Sequence, residues 1–232
     1  KARIDGNGQV EVLTPEQATH EAYFSKSGRY FVDNYSRADL EPRSVLRDNK
    51  GKVIMELASP DLTRLYETGW KMPEPFTVKA ADGHTDLYGF MWKPFDFDSS
   101  RHYPIISYVY PGPQTEAIPL EFSVTAAYNV GLAQIGFVVV TFGHRGGSPM
   151  RDKWYHTFGY NNLRDYPLAD DKCGIEQLAD RFSFIDKSKV GIFGHSGGGF
   201  MSTAALCTYP DFYTAAVSSA GNHDNNIYNQ WW

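Results

Sequence analysis

Cysteine is nearly missing from this chain. Cys173 and Cys207 are the only two among 232 residues, so no disulfide framework carries the fold and stability must come from a buried core. Both fall in stretches that read as helix, where a cysteine serves as a small apolar residue. An excess of positive charge is missing too. Lys and Arg number 22 against 27 Asp and Glu, for a net charge of −5 with no basic block, which leaves nucleic-acid binding without support. No apolar run approaches the length of a transmembrane helix, so no membrane segment is expected. Lys1 opens no signal-peptide pattern, and a start without Met reads as a processed or trimmed piece. What the chain does have is a globular balance of 42% hydrophobic and 21% charged residues, enough for one large or two modest domains. Aromatic residues are abundant at 15%, which suits β-structure and cleft walls.

The stretch from Val190 to Phe200 organises the rest. It holds a G-x-S-x-G pattern at Gly194, Ser196 and Gly198. A short apolar run, Val190 to Phe193, precedes it, and a helix-compatible run, Phe200 to Tyr209, follows. That is the context of a nucleophile elbow, in which a serine sits on a very tight strand-to-helix turn. The residues two before and two after it pass close together and must lack a Cβ. A helix N-terminus aimed at the serine favours a developing negative charge. An inert Gly-rich loop is the bland alternative. A phosphate-binding loop is disfavoured because no Lys-Ser or Lys-Thr pair follows.

The first seventy residues read as short strands and turns: Val10 to Leu13, Glu21 to Phe24, Tyr30 to Ser36, Ser44 to Arg47 and Val53 to Leu57. Asp48-Asn49-Lys50-Gly51 is a turn signal. Four strands joined by hairpins make about one blade of a β-propeller; a small independent sheet is the alternative. Asp61 to Thr68 reads as a helix-compatible linker. From residue 71 the pattern alternates. A hairpin crosses Asp82-Gly83, Tyr103 to Tyr110 is a strand, Glu121 to Gln134 has helical spacing, and Phe137 to Thr141 is a buried parallel strand. Asp165 to Arg181 is a helix, and Thr214 to Ser218 is a last strand. Strand–helix alternation around the serine predicts an α/β fold, an α/β-hydrolase domain over 71–232 preceded by a propeller blade and linker over 1–70. The site then lies at the carboxyl ends of the strands.

With these residues in view the chain resembles the prolyl oligopeptidase family of serine peptidases, in its dipeptidyl peptidase IV branch. The resemblance rests on Leu13-Thr14-Pro15, Thr19-His20, Phe24-Ser25, Gly69-Trp70, Leu87-Tyr88-Gly89 and Tyr103-Pro104-Ile105. It continues through Val109-Tyr110-Pro111-Gly112-Pro113, Arg145-Gly146 and Gly194-His195-Ser196-Gly197-Gly198. It implies a last propeller blade joined to the first part of an α/β-hydrolase domain that lacks its last strands. It also implies a peptidase acting on short peptides, with release of N-terminal dipeptides as one form of the activity. Ser196 would attack the peptide carbonyl and form an acyl-enzyme. The oxyanion would be held by the Gly197 N–H, next after the nucleophile, and by the Tyr110 hydroxyl, matched to the family tyrosine. Ala220, His223, Asn226 and Tyr228, after the last strand, are candidates for the pocket wall. Arg145 reads as a loop organiser paired with a carboxylate. His195 is expected to project away from the serine.

In the Ser…Asp…His order of this fold the acid and the histidine follow the nucleophile on later strands, so they are expected beyond Trp232 and this chain by itself is expected to be inactive. Gly197 stands where the branch places a large aromatic, which puts a preference for proline before the scissile bond in doubt. No cofactor and no metal are expected. The resemblance favours a periplasmic or secreted setting, with a cytoplasmic one open, and leaves a homodimer open for a full-length protein. An esterase or other acyl hydrolase on the same fold, and a non-catalytic binding protein that keeps the elbow, are the alternatives.

Overall fold

The computed structural model describes residues 1–6, 8–112, 115–162 and 165–224, and within them two compact units. The first comprises Lys1–Met72 together with Pro119–Ala126. Its strands β1 (Thr19–Phe24), β2 (Tyr30–Arg37), β3 (Leu40–Asp48) and β4 (Val53–Ala58) form an antiparallel meander in sequence order, followed by the short helix α1 (Thr63–Glu67). Val10–Leu13, expected as a strand, is not one: it precedes the meander and pairs with none of its strands. Phe31 and Val45 are buried, and so is an ionic pair, Asp33 with Arg47. Arg47 Nε donates to Asp33 at 2.8 Å and Nη2 to Glu16 at 2.7 Å, while His20 Nδ1 lies 2.9 Å from Asp33. The guanidinium thus sits among Glu16, His20 and Asp33, so each carboxylate already has a cation.

The segment expected as one helix from Glu121 to Gln134 is divided. Only α2 (Asn129–Gln134) is helical. Ala126 and Ala127 take φ of 44° and 56°, a left-handed backbone in which a helix cannot continue. The apolar residues before them pack into the first unit instead. Phe122 lies edge-on to Trp70 at 5.8 Å, the Trp70 indole donates to the Val124 carbonyl at 2.9 Å, and the Phe122 N–H donates to Ser36 at 3.2 Å. A single boundary near residue 70 does not anticipate this excursion.

The second unit, Pro73–Ile118 with Ala127–Trp232, is built on a six-stranded sheet. Its elements are β5 (Glu74–Lys79), β6 (Asp86–Trp92), β7 (Tyr103–Tyr108), β8 (Val138–Phe142), α3 (Lys153–Thr157), α4 (Leu168–Arg181), β9 (Ile185–His195), α5 (Gly197–Thr208) and β10 (Tyr213–Ser219). The order is β10-β9-β7-β8-β6-β5. β10, β9, β7 and β8 run parallel, and the β5–β6 hairpin adds to β8 antiparallel. β8 is buried along its whole length, as a parallel strand covered on both faces must be. Leu168, Ile175 and Leu178 of α4 and Met201 and Ala205 of α5 join Ile105, Val138, Val140, Val190 and Ile192 in one core. Each such aliphatic side chain, fully buried, contributes roughly 1.5–3 kcal/mol. α3 is an element the sequence pattern does not announce. On the other sheet face Tyr108, Phe193 and Val217 line an open groove of about 490 Å³ beside Leu132. β9 lies second in the sheet, between β10 and β7, so whatever follows it emerges at the carboxyl ends of these parallel strands.

Candidate active site

β9 ends at His195 and α5 begins at Gly197; Ser196 alone joins them, with φ 55° and ψ −116°. This is a backbone conformation that an L-residue adopts at a cost of about 1–3 kcal/mol. The surroundings enforce it. A Cβ on Gly194 would lie 2.3 Å from the Val109 carbonyl oxygen and 2.6 Å from Gly198 Cα; one on Gly198 would lie 2.1 Å from the same oxygen. Only glycine fits at either place. The Ser196 N–H donates to the Ser219 carbonyl at 2.8 Å, and the Phe200 N–H to the Ser196 carbonyl at 3.0 Å. The turn is therefore tied both to β10 and to its own helix. α5 has no side-chain cap, and Gly197, Gly198 and Gly199 are buried. The first-turn N–H groups of a helix lack intrahelical partners and carry its positive dipole end. A serine oxygen with a free N–H beside it, at such an end, suits a reaction that builds negative charge.

Val109 donates to Phe193 O at 2.9 Å, extending the β7–β9 ladder one residue past β7. Tyr110 follows, half-buried, with its Cα 3.5 Å from the point a Gly198 Cβ would occupy. Tyr110 and Gly197 are thus both brought to the elbow. The pocket candidates are less closely grouped. Ala220 is exposed, with φ 49°, at the end of β10. His223 stacks on Phe200 of α5 at 6.2 Å and places Nε2 3.3 Å from Ser218 Oγ. Asn226 and Tyr228 lie outside the described residues. His195 is exposed and puts Nδ1 3.0 Å from Ser219 Oγ. Among the described residues no histidine nitrogen hydrogen-bonds the Ser196 hydroxyl.

The loop after β8 is organised by charge. Arg145 donates from Nη2 to Asp170 at 2.6 Å, from Nε to the same carboxylate at 3.0 Å, and from Nη1 to Asp82 at 3.3 Å. The expected carboxylate partner is thus two carboxylates. Asp170 also accepts from the Ala81 and Arg145 N–H groups. Burial works against ionisation of Asp82, yet the Thr85 hydroxyl and N–H, the His84 N–H and Arg145 outweigh it and hold Asp82 far below the usual carboxylate range. Next to Asp170 on α4, Asp171 is fully buried and accepts from Ser107 Oγ at 2.6 Å and Tyr213 Oη at 2.8 Å. No cation faces it among the described residues. Burial pushes its pKa up to about 6, with Asp170 adding to the rise and the two hydroxyls only partly offsetting it. His144 is buried, its Nδ1 3.2 Å from the Arg145 carbonyl and its Nε2 without a partner among the described residues. Burial lowers its pKa, against the pull of Glu116 and Asp170, and so favours the neutral ring. Sequence reasoning missed these groups. The one available signal was the Asp170-Asp171 pair in the first turn of a helix.

Residues 122–232 match the family model described as the prolyl oligopeptidase family. Among curated proteins, the chain is 29% identical over 229 residues to dipeptidyl peptidase 8 of Homo sapiens, covering 92% of this chain and 24% of that one. It is 27% identical to prolyl endopeptidase FAP of Mus musculus, covering 86% and 26%. Among solved structures, a putative dipeptidyl aminopeptidase IV from Bacteroides ovatus aligns at TM-score 0.77 with 30% identity, over 89% of this chain and 29% of that one. Dipeptidyl peptidase 4 of Porphyromonas gingivalis aligns at TM-score 0.78 with 26% identity, over 94% and 31%. The chain spans about a quarter of the length of the curated relatives it matches. With these neighbours the fold is an α/β-hydrolase sheet preceded by a β-propeller blade.

Proposed function

We propose that this chain, a member of the prolyl oligopeptidase family, carries the nucleophile of a serine peptidase that cleaves short peptides, releasing N-terminal dipeptides. The observation that carries the reading is Ser196 itself: one residue, at φ 55° and ψ −116°, between β9 and the buried start of α5, with glycines packed on Val109. That backbone exposes a side-chain oxygen at the sheet edge and aims N–H groups at whatever bonds to it.

In this reading Ser196 Oγ adds to the peptide carbonyl. The carbonyl oxygen becomes an oxyanion and takes hydrogen bonds from the Gly197 N–H and the Tyr110 hydroxyl. The leaving amine departs with the proton taken from the serine, and water then hydrolyses the acyl-enzyme. A serine hydroxyl is a poor nucleophile until a positioned base removes that proton. His195 and His223 bond to Ser219 and Ser218 instead, so neither is assigned as the base; in the Ser…Asp…His order of this fold the base is a histidine of the full-length protein that follows the nucleophile on a later strand.

The test uses the full-length protein. A fluorophosphonate probe should label it and Ser196→Ala should not label, with dipeptide release from peptide substrates abolished in the same variant. In Tyr110→Phe the turnover number should fall by an amount equal to roughly 2.7–4 kcal/mol of barrier. Labelling that survives in Ser196→Ala rules the assignment out.

A further inference from the structure

We infer that Glu116 is a positioning residue that clamps the loop carrying Tyr110, an inference that rests on the oxyanion role proposed above for that tyrosine. Tyr110 and Glu116 are the two ends of a seven-residue segment, Tyr110-Pro111-Gly112-Pro113-Gln114-Thr115-Glu116. Pro111, next after Tyr110, has its φ fixed by its ring. Gly112 and Thr115 form an isolated antiparallel bridge within it. The Tyr110 end is anchored by the strand ladder at Val109. A ladder bond one residue earlier does not by itself fix the direction of the phenol. The other end must be held too.

Glu116 supplies that hold. Its carboxylate lies in the loop after β8, in space that two glycines leave open. A Cβ on Gly147 would lie 2.3 Å from Glu116 Oε1, and one on Gly143 would lie 3.1 Å from both carboxylate oxygens. The Tyr155 hydroxyl donates to Oε1 at 2.5 Å. Tyr155 is itself rigid. It is 1% exposed, its N–H is capped by Asp152 at 2.8 Å, and its carbonyl accepts from Gly146 at 2.6 Å. The Arg151 guanidinium covers its ring at 4.1 Å. Beside the carboxylate, Tyr155 keeps its proton, its pKa raised by burial first and by Glu116 second. The phenol is therefore a permanent donor, and the contact is a charge-assisted hydrogen bond in a half-buried site. A residue so held, next to the Gly112–Thr115 bridge and six positions from Tyr110, limits where the phenol can point. Nothing in this arrangement touches the proposed substrate carbonyl, so Glu116 acts only through Tyr110.

The experiment is a double-mutant cycle on the full-length protein, read as kcat and KM separately and with the thermal midpoint recorded for each variant. Tyr155→Phe and Glu116→Ala should each lower kcat about tenfold with KM little changed, since sub-ångström misplacement of an oxyanion donor costs rate rather than binding. Glu116→Gln keeps the acceptor oxygen and should recover most of that rate. Gly147→Ala, which displaces the carboxylate from the other side, should reproduce the loss. In a Tyr110→Phe background none of these changes should slow turnover further. Equal losses in both backgrounds, or a Glu116→Ala enzyme with full kcat, would overturn the clamp while leaving the peptidase reading intact. A full kcat in Tyr110→Phe would overturn the oxyanion role and the clamp with it. A loss that follows only the thermal midpoint, with no coupling to Tyr110, would reduce Glu116 to a structural contact and overturn the inference.

Discussion

Replacing Asp171 with Asn removes a carboxylate that no cation faces among the described residues. Its named partners are two neutral hydroxyls, Ser107 Oγ and Tyr213 Oη, and its neighbour Asp170 carries a like charge. In the fold its pKa is pushed up from the ordinary 3.8 to about 6. The folded state therefore binds a proton more tightly than the unfolded chain does. Between those two values the fold holds more protons than the unfolded state, so stability falls as pH rises. The contribution is fully present below about pH 4 and is lost as pH climbs through about 6. At 1.36 kcal/mol per pKa unit it amounts to roughly 3 kcal/mol. Asn keeps an acceptor for one hydroxyl and a donor for the other while removing the titration. The measurement is the unfolding free energy, or the thermal midpoint of the hydrolase transition, of wild type and Asp171→Asn between pH 4 and 7.5. The other acids titrate in both proteins and cancel in the difference. Asp171→Asn should gain on wild type by up to about 3 kcal/mol across that window. A difference that stays flat, or that moves in favour of wild type as pH rises, would refute the reasoning. It would mean that Asp171 is ionised at low pH through a partner not identified above.

Two further outcomes follow from the packing. Gly198→Ala puts a methyl 2.1 Å from the Val109 carbonyl; since backbone cannot yield cheaply, the elbow should open, with fluorophosphonate labelling lost and the thermal midpoint lowered. Arg145→Ala strands Asp170, whose carboxylate is buried, and should cost about 3–5 kcal/mol of stability, checked by denaturant unfolding; adding Asp170→Asn should recover part of that loss, because the stranded charge is gone.

The elbow was legible because its demands are local. Gly194 and Gly198 are needed two residues either side of Ser196, and the apolar run before and helix after complete the signature within about twenty residues. The central strands were legible for the same reason: Val138-Val139-Val140 can hardly be anything but buried strand. The stretch 121–134 misled because Phe122, Ala126 and Val130 are spaced as a helix face is. Spacing cannot tell that Phe122 packs on Trp70, or that Ala126 and Ala127 turn left-handed. Val10–Leu13 has the composition of a strand, but Glu11 pairs there only with Lys1 and no strand of the meander adds to it. Asp171 was beyond reach, since what makes it unusual is a serine 64 residues before it and a tyrosine 42 after it. Glu116 is similar: Tyr155, which holds it, lies on α3, a helix too short to show a period.

The excursion of residues 119–126 sets an order for synthesis. The last strand of the first unit ends at Ala58, and Trp70 follows at its edge. The groups that cover that indole, the Phe122 ring and the Val124 carbonyl, arrive about fifty residues later. At ~5–20 residues per second the ribosome takes several seconds to deliver them, and by then β5, β6 and β7 have already emerged. During that interval the Trp70 ring lacks the Phe122 edge and its N–H bonds water instead of the Val124 carbonyl. The first unit therefore cannot close as a finished body while the second is still waiting to begin. Its last piece reaches it only after the opening strands of its neighbour exist, so a chaperone that binds exposed aromatic surface on the nascent chain would find Trp70 there until residue 126 is clear of the exit tunnel.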